Sequence, residues 1–185
     1  MAYPGIQELY GGRRGLSSNN IKYEAAAALF QTAIVNVRNQ ETGELMPVRI
    51  FLDQGSSANF VTEDCAKRLK LKLNDDSAEI TGLNQKGMTK IKKSTGFHIR
   101  SRTQEFSRWI QAYVTPSITG RMPGNTFDPA KYNWNHLKGL ELADPNYNES
   151  TEVDVLIGVA HIGSMLRSGL RYSTKGPTAQ ESTLG

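Results

Sequence analysis

The chain has 185 residues with an apolar share of 38%, so it fits one domain of ordinary size, with part of its length outside any core. Its formal net charge of +4, from 22 basic and 18 acidic residues, is too weak by itself to imply nucleic acid. The single Cys65 excludes an intrachain disulfide framework or a cysteine-rich zinc knuckle, the 3 histidines argue against a His-rich metal site, and no apolar run approaches the ~20 residues that span a bilayer, so the chain reads as soluble and intracellular.

Residues 1–28 carry Gly5, Gly11, Gly12 and Gly15 among Pro4, Ser17, Ser18, Asn19 and Asn20, with no sustained period. This predicts a flexible N-terminal arm or linker, with Ala25–Ala28 too short to hold a helix alone. A folded domain is expected over 29–185. Gln31–Arg38 is rich in β-branched residues, Asn39–Glu44 is a polar turn with Gly43 free for positive φ, and Met46–Leu52 returns as a second strand. The hairpin delivers Asp53 into the turn Asp53-Gln54-Gly55-Ser56. A carboxylate at the end of a buried strand is costly unless it is paired or used. No basic residue lies between Asp53 and Glu63. Asp53 is therefore either a working carboxylate or the residue of an ordinary Asx-turn.

Thr62–Leu69 reads as a short helix, with Thr62 as N-cap, Glu63 and Asp64 in the first turn and basic residues at its end. Gly82-Leu83-Asn84-Gln85-Lys86-Gly87, between strand-like flanks, suggests a mobile hairpin tip. Lys90–Arg102 and Phe106–Val114 come next as strands, with Trp109 and Tyr113 available for packing. The stripe 86–102 is basic through Lys86, Lys90, Lys92, Lys93, Arg100 and Arg102, but offers no ring for stacking a base beyond Phe97. Nucleic acid is not expected as a partner. Residues 115–151 break the β rhythm with four prolines, yet hold Phe127, Tyr132, Trp134 and Tyr147, which predicts a folded excursion. Val153–Gly158 is a short buried strand, Ala160–Leu166 a short helix, and Leu170–Tyr172 and Ala179–Leu184 closing strands. Cys65, His98, His136 and His161 are assigned to packing or surface roles, and Asp154 to a strand start and not to catalysis.

Five segments in order carry a resemblance: Leu29-Phe30-Gln31-Thr32-Ala33; Phe51-Leu52-Asp53-Gln54-Gly55-Ser56-Ser57-Ala58-Asn59-Phe60-Val61; His136-Leu137-Lys138-Gly139-Leu140-Glu141-Leu142-Ala143-Asp144-Pro145; Asp154-Val155-Leu156-Ile157-Gly158; and Gly176-Pro177-Thr178-Ala179-Gln180-Glu181. Together they resemble the retropepsin-like aspartic protease domain of BEL/Pao-type LTR retrotransposon Gag-Pol polyproteins. The resemblance implies a mainly β, retropepsin-like acid protease barrel, a closed β fold with short helices and one lobe per subunit. It makes 115–151 a family-specific insertion. It also implies a longer parent polyprotein, because the family continues with Trp where this chain stops.

The same resemblance implies a function. The chain would be a homodimeric aspartic endopeptidase that processes its own Gag-Pol polyprotein, in the cytoplasm within virus-like particles, with no cofactor and no metal. Two carboxylates held close together cannot both ionise, so they share a proton. One activates water while the other polarises the scissile carbonyl. Asp53 supplies one, and Asp53 of a second copy the other. Gln54, Gly55 and Ser56 support the loop, Ser56 by bonding the outer oxygen of Asp53. The tip 82–87 is the flap. Leu156, Ile157 and Gly158 back the loop and line the cleft. Two departures stand out. Gln54 replaces a Ser or Thr that ties the dimer together. Ala160, followed by His161, replaces an acidic residue. An alternative is therefore a catalytically weak or inactive domain of the same fold, serving dimerisation or peptide binding.

Overall fold

A strand pair begins the fold, as the alternation predicts. In a computed structural model of the chain, which describes residues 29, 31–81, 88–131, 134–173 and 177–185, β1 (Thr32–Arg38) pairs antiparallel with β2 (Leu45–Asp53). Ala33, Val35 and Val37 alternate inward against Val48, Ile50 and Leu52. Asn39 closes the connecting turn by accepting the amides of Glu41 and Thr42 on its side-chain oxygen, at 2.9 and 3.0 Å. Gly43 takes φ +78°, a conformation that L side chains rarely adopt. The N-terminal arm expected over 1–28 lies outside the described residues.

Beyond Asp53 come β3 (Phe60–Thr62) and α1 (Glu63–Arg68). The Thr62 hydroxyl caps α1 by accepting the Cys65 amide at 3.2 Å. Cys65, Ala66 and Leu69 bury the inner face of the helix. Then β4 (Asn74–Thr81), β5 (Met88–Arg100) and β6 (Ser107–Thr115) run as an antiparallel meander. The connection to β7 (Val155–Gly158) is long and irregular, with only two short 3-10 turns at Pro129–Lys131 and Asn135–Leu137 among its described residues. Phe127, Trp134 and Tyr147 pack together there, the last two stacked at 5.1 Å, so the excursion has a small core of its own.

The sheet order is β1-β2-β7-β3-β6-β5-β4. Asn36 and Val37 of β1 also pair with Arg100 and Ile99 of β5, so six strands close into a ring and β4 is appended to it. The closed, mainly β architecture with short helices is therefore observed. Pairing is mixed, with β2–β7 and β3–β6 parallel. Ile50, Val61, Ile99, Ile110 and Ile157 fill the interior, each buried.

The C-terminal part departs from the sequence reading in two ways. The helix expected over Ala160–Leu166 is a single turn, α2 (Val159–Ile162), capped at Gly163, and the chain is already in a strand by Leu166. Beyond Ile162 the backbone runs in tighter turns, with Ser164 N donating to His161 O at 3.1 Å and Met165 N to Ile162 O at 2.9 Å, and Met165 is buried in the core. The closing strands β8 (Leu166–Arg171) and β9 (Ala179–Ser182) pair with each other as a separate two-stranded sheet, outside the ring.

Candidate active site

The turn that carries Asp53 is built from one crossing of the sheet. β2 and β3 are not neighbours, because β7 runs between them, parallel to β2 and antiparallel to β3. The loop 54–59 that joins β2 to β3 therefore wraps over the end of β7, where Gly158 stands opposite Asp53. The contact is tight. A Cβ at Gly158 would lie 2.7 Å from the carbonyl oxygens of both Ser56 and Ala58, so only glycine fits. The Val159 amide donates to Ser56 O at 2.8 Å and continues the seam.

Asn59 locks the loop from the other side. Its side-chain oxygen accepts the Gly158 amide at 2.8 Å, its side-chain nitrogen donates to Gln111 O on β6 at 2.9 Å, and its carbonyl accepts the Tyr113 amide at 2.9 Å. One asparagine thus ties the loop to β6 and β7. Sequence reasoning missed it. Nothing in one sequence marks an Asn as a bridge between residues 52 and 99 positions away.

Asp53 itself is half-buried, with its Oδ1 accepting the Gly55 amide at 2.9 Å. No cation forms an ion pair with it among the described residues. Gly55 does not adopt positive φ, so its value is not the freedom of a left-handed turn. Its amide reaches the carboxylate, and a Cβ there would come within 3.2 Å of Asp53 Oδ1. Ser56 also differs from expectation. Its hydroxyl donates to Ala58 O at 2.8 Å and accepts the Ala58 amide at 3.3 Å, so within this chain it braces the loop and not the outer oxygen of Asp53. Gln54 is exposed at the tip of the turn. The residues expected to form a flap, Gly82, Leu83, Asn84, Gln85, Lys86 and Gly87, lie outside the described residues.

The three residues assigned to a cleft wall divide by strand alternation. Ile157 is wholly buried in the barrel interior and lines no cleft. Leu156 takes the opposite face, registered with Phe51 on β2 and Phe60 on β3, and is also buried, at 8% exposure. Phe60 in turn lies 6.2 Å from the ring of Tyr113. Asp53 shares the outward parity of Phe51, so an apolar strip runs beside the carboxylate. A cavity of about 490 Å³ lies at the far end of the loop, walled by Ser57–Asn59, by Asp76 and Ala78–Ile80 of β4 and by Gln111–Tyr113, with Asp53 outside its walls. A larger cavity of about 700 Å³ lies between the β6–β7 connection, the start of β1 and the β8–β9 pair. It contains Leu52 but nothing from 53–59, and the smaller cavity touches the loop only at Ser57–Asn59.

The other carboxylates nearby are committed elsewhere. Asp154 accepts the Arg49 amide at 3.0 Å and pairs with Arg68 at 2.9 Å. It precedes β7, four residues before the position opposite Asp53, which places it roughly 13 Å away along the strand at about 3.3 Å per residue. Asp144 is buried and takes Thr32 Oγ1 at 2.6 Å and the Arg49 guanidinium at 2.8 Å. Arg49 Nη1 also donates to Met122 O at 2.6 Å and to Thr151. This anchor fastens the long connection to the middle of β2. Among the described residues no group of three His, Cys, Asp or Glu side chains is placed to hold a metal ion. Cys65 is buried, and burial with the nearby Asp154 carboxylate pushes its thiol up to about 12, so it is no nucleophile. His161 Nδ1 is buried without a partner among the described residues, and burial with nearby Arg108 lowers its basicity.

No family model matches the chain, and no curated protein is significantly similar to it. No helix among the described residues is long and apolar enough to cross a membrane.

Proposed function

We propose that the chain is one subunit of a homodimeric, retropepsin-type aspartic endopeptidase that cleaves peptide segments of its own BEL/Pao-type retrotransposon polyprotein. The observation that carries the reading is the Asp53 turn. A carboxylate with no cation of its own stands on the outward face at a strand end, braced by Gly55, Gly158 and Asn59. A structural aspartate would be expected to hold a partner, as Asp144 and Asp154 do. Acid–base chemistry on a peptide bond needs two carboxylates sharing a proton around one water, and this chain contributes a single candidate at the turn. A second copy across a two-fold axis supplies the other. One Asp53 takes a proton from the water, while the protonated partner polarises the scissile carbonyl. The apolar strip through Phe51, Leu156 and Phe60 and the cavity beside β4 suit an extended peptide, held by main-chain hydrogen bonds and side-chain pockets.

The test is cleavage of polyprotein-derived peptides by the wild type and by Asp53→Asn, with folding checked by circular dichroism. Cleavage is expected to disappear while the fold persists; a variant that still cuts would remove Asp53 from the mechanism. Gln54 favours a second reading, that of a weakly active or inactive dimerisation or peptide-binding domain. It sits exposed at the tip of the turn, where the family places a short hydroxyl side chain. Gln54→Ser separates the two, because a rise in cleavage marks a working site hampered by one residue, and no cleavage in either form marks a binding module.

A further inference from the structure

The positive charge of this chain is concentrated. Residues 88–115 hold Lys90, Lys92, Lys93, Arg100, Arg102 and Arg108 against Glu105 alone, a net +5 where the whole chain carries +4, so the rest is net −1. Neither β5 nor β6 contains a carboxylate. Strand alternation sorts the side chains. Phe97, Ile99, Ile110 and Ala112 point into the barrel, whereas His98, Arg100, Trp109 and Gln111 point out. The stacking ring that the sequence offered, Phe97, is thus buried, and Trp109, assigned to packing, is 50% exposed.

The mounting of Trp109 is specific. Its ring lies across Gly96, where a Cβ would fall 2.1 Å from Cζ2. His98, directly opposite on β5, meets it edge-on at 5.0 Å. Covering a strand glycine with an aromatic ring explains the pairing with Gly96. It does not explain why half of this side chain remains in water on a face that also carries Arg100. Among the described residues neither Lys92 nor Arg100 is in an ion pair, and both are exposed. Arg100 lies two residues from His98 on the same face, and Lys92 lies roughly 20 Å along β5 from His98 at about 3.3 Å per residue, beyond the stretch paired with β6. An anion with flat apolar rings satisfies both features at once. Its phosphates meet the lysine and arginine heads, and a base stacks on the open side of the indole.

We infer that a strip along the outward side of β5 and β6 binds single-stranded nucleic acid, with Trp109 as the stacking platform, Arg100 as the near phosphate contact and Lys92, further along β5, as the distant one. Trp109, Lys92 and Arg100 lie outside the Asp53 turn and outside the cavity proposed for the peptide, although Gln111 and Tyr113 on the same face of β6 border that cavity.

The experiment is fluorescence anisotropy of a labelled oligouridine with the purified full chain, at about 50 and 200 mM salt. Binding is expected at the lower salt and to weaken steeply at the higher. Trp109→Ala is expected to weaken it about tenfold or more. Lys92→Gln and Arg100→Gln are each expected to flatten the salt slope by about 0.7. The Lys92→Gln, Arg100→Gln pair touches only exposed side chains and leaves the Trp109–Gly96 contact intact, so it tests the face even if Trp109→Ala fails to fold. Absence of binding at low salt overturns the proposal, as does unchanged affinity in the paired variant. Equal displacement of the oligouridine by an acidic peptide or by anionic vesicles would also overturn it, since neither carries a base to stack on the indole.

Discussion

Asp53 and Asp144 are both aspartates tied to the same strand, and they are held in opposite ways. Asp144 is buried and bonded by a guanidinium and a hydroxyl, with Arg49 Nη1 in turn donating to Met122 and Thr151. Asp53, four residues along β2 from Arg49, receives one backbone amide and no cation among the described residues. The fold places its buried arginine where it fastens the long connection to β2, and leaves the carboxylate at the strand end uncommitted. A group whose charge is already compensated is a poor acid or base. The difference therefore separates an anchor from a candidate reagent.

The largest expected effect breaks the anchor. Asp144→Ala strands Arg49 as an uncompensated buried charge and should cost about 3–5 kcal/mol in denaturant unfolding, whereas Asp53→Asn should stay within about 0.5 kcal/mol of wild type. Equal losses in the two variants would end the distinction. Next comes the seam beneath the turn. Gly158→Ala forces a methyl against two carbonyl oxygens and should cost about 1–3 kcal/mol together with loss of cleavage; a stable, active variant would show that the loop shifts freely. The smallest effect concerns Cys65. Burial is the first cause of its raised value of about 12 and Asp154 the second. Alkylation at mildly alkaline pH should be negligible in the folded protein, rapid in denaturant and only slightly faster in Asp154→Asn. Rapid labelling of the folded wild type would contradict the packing assigned to α1.

Much of the ring was legible because its signals are local. The β1–β2 hairpin comes from alternation around Asn39 and Gly43, the cap of α1 from Thr62, and the buried β7 from Val155-Leu156-Ile157-Gly158. The Asp53 turn was legible as an acid delivered by an apolar strand. What was not legible depends on distance along the chain. Arg49 and Asp144 lie 95 residues apart, and no local pattern announces their pairing. The insertion of β7 between β2 and β3 is likewise a property of the sheet, and it is what turns Gly158 from a strand terminator into the floor of the turn. Ser56 and Ile157 were misplaced for simpler reasons. A hydroxyl beside a free carbonyl takes the nearest acceptor, and consecutive strand residues face opposite ways.

The central claim is that each chain supplies half of a catalytic site, with Asp53 as that half. Subunit mixing tests it most directly. Wild-type chain is held at fixed concentration, and folded Asp53→Asn chain is titrated in while peptide cleavage is monitored. Mixed dimers hold one carboxylate that can ionise in place of two, so cleavage should fall steadily and approach zero in large excess of the variant. Cleavage that stays constant throughout the titration would show that a single chain carries a complete site, and would contradict the account.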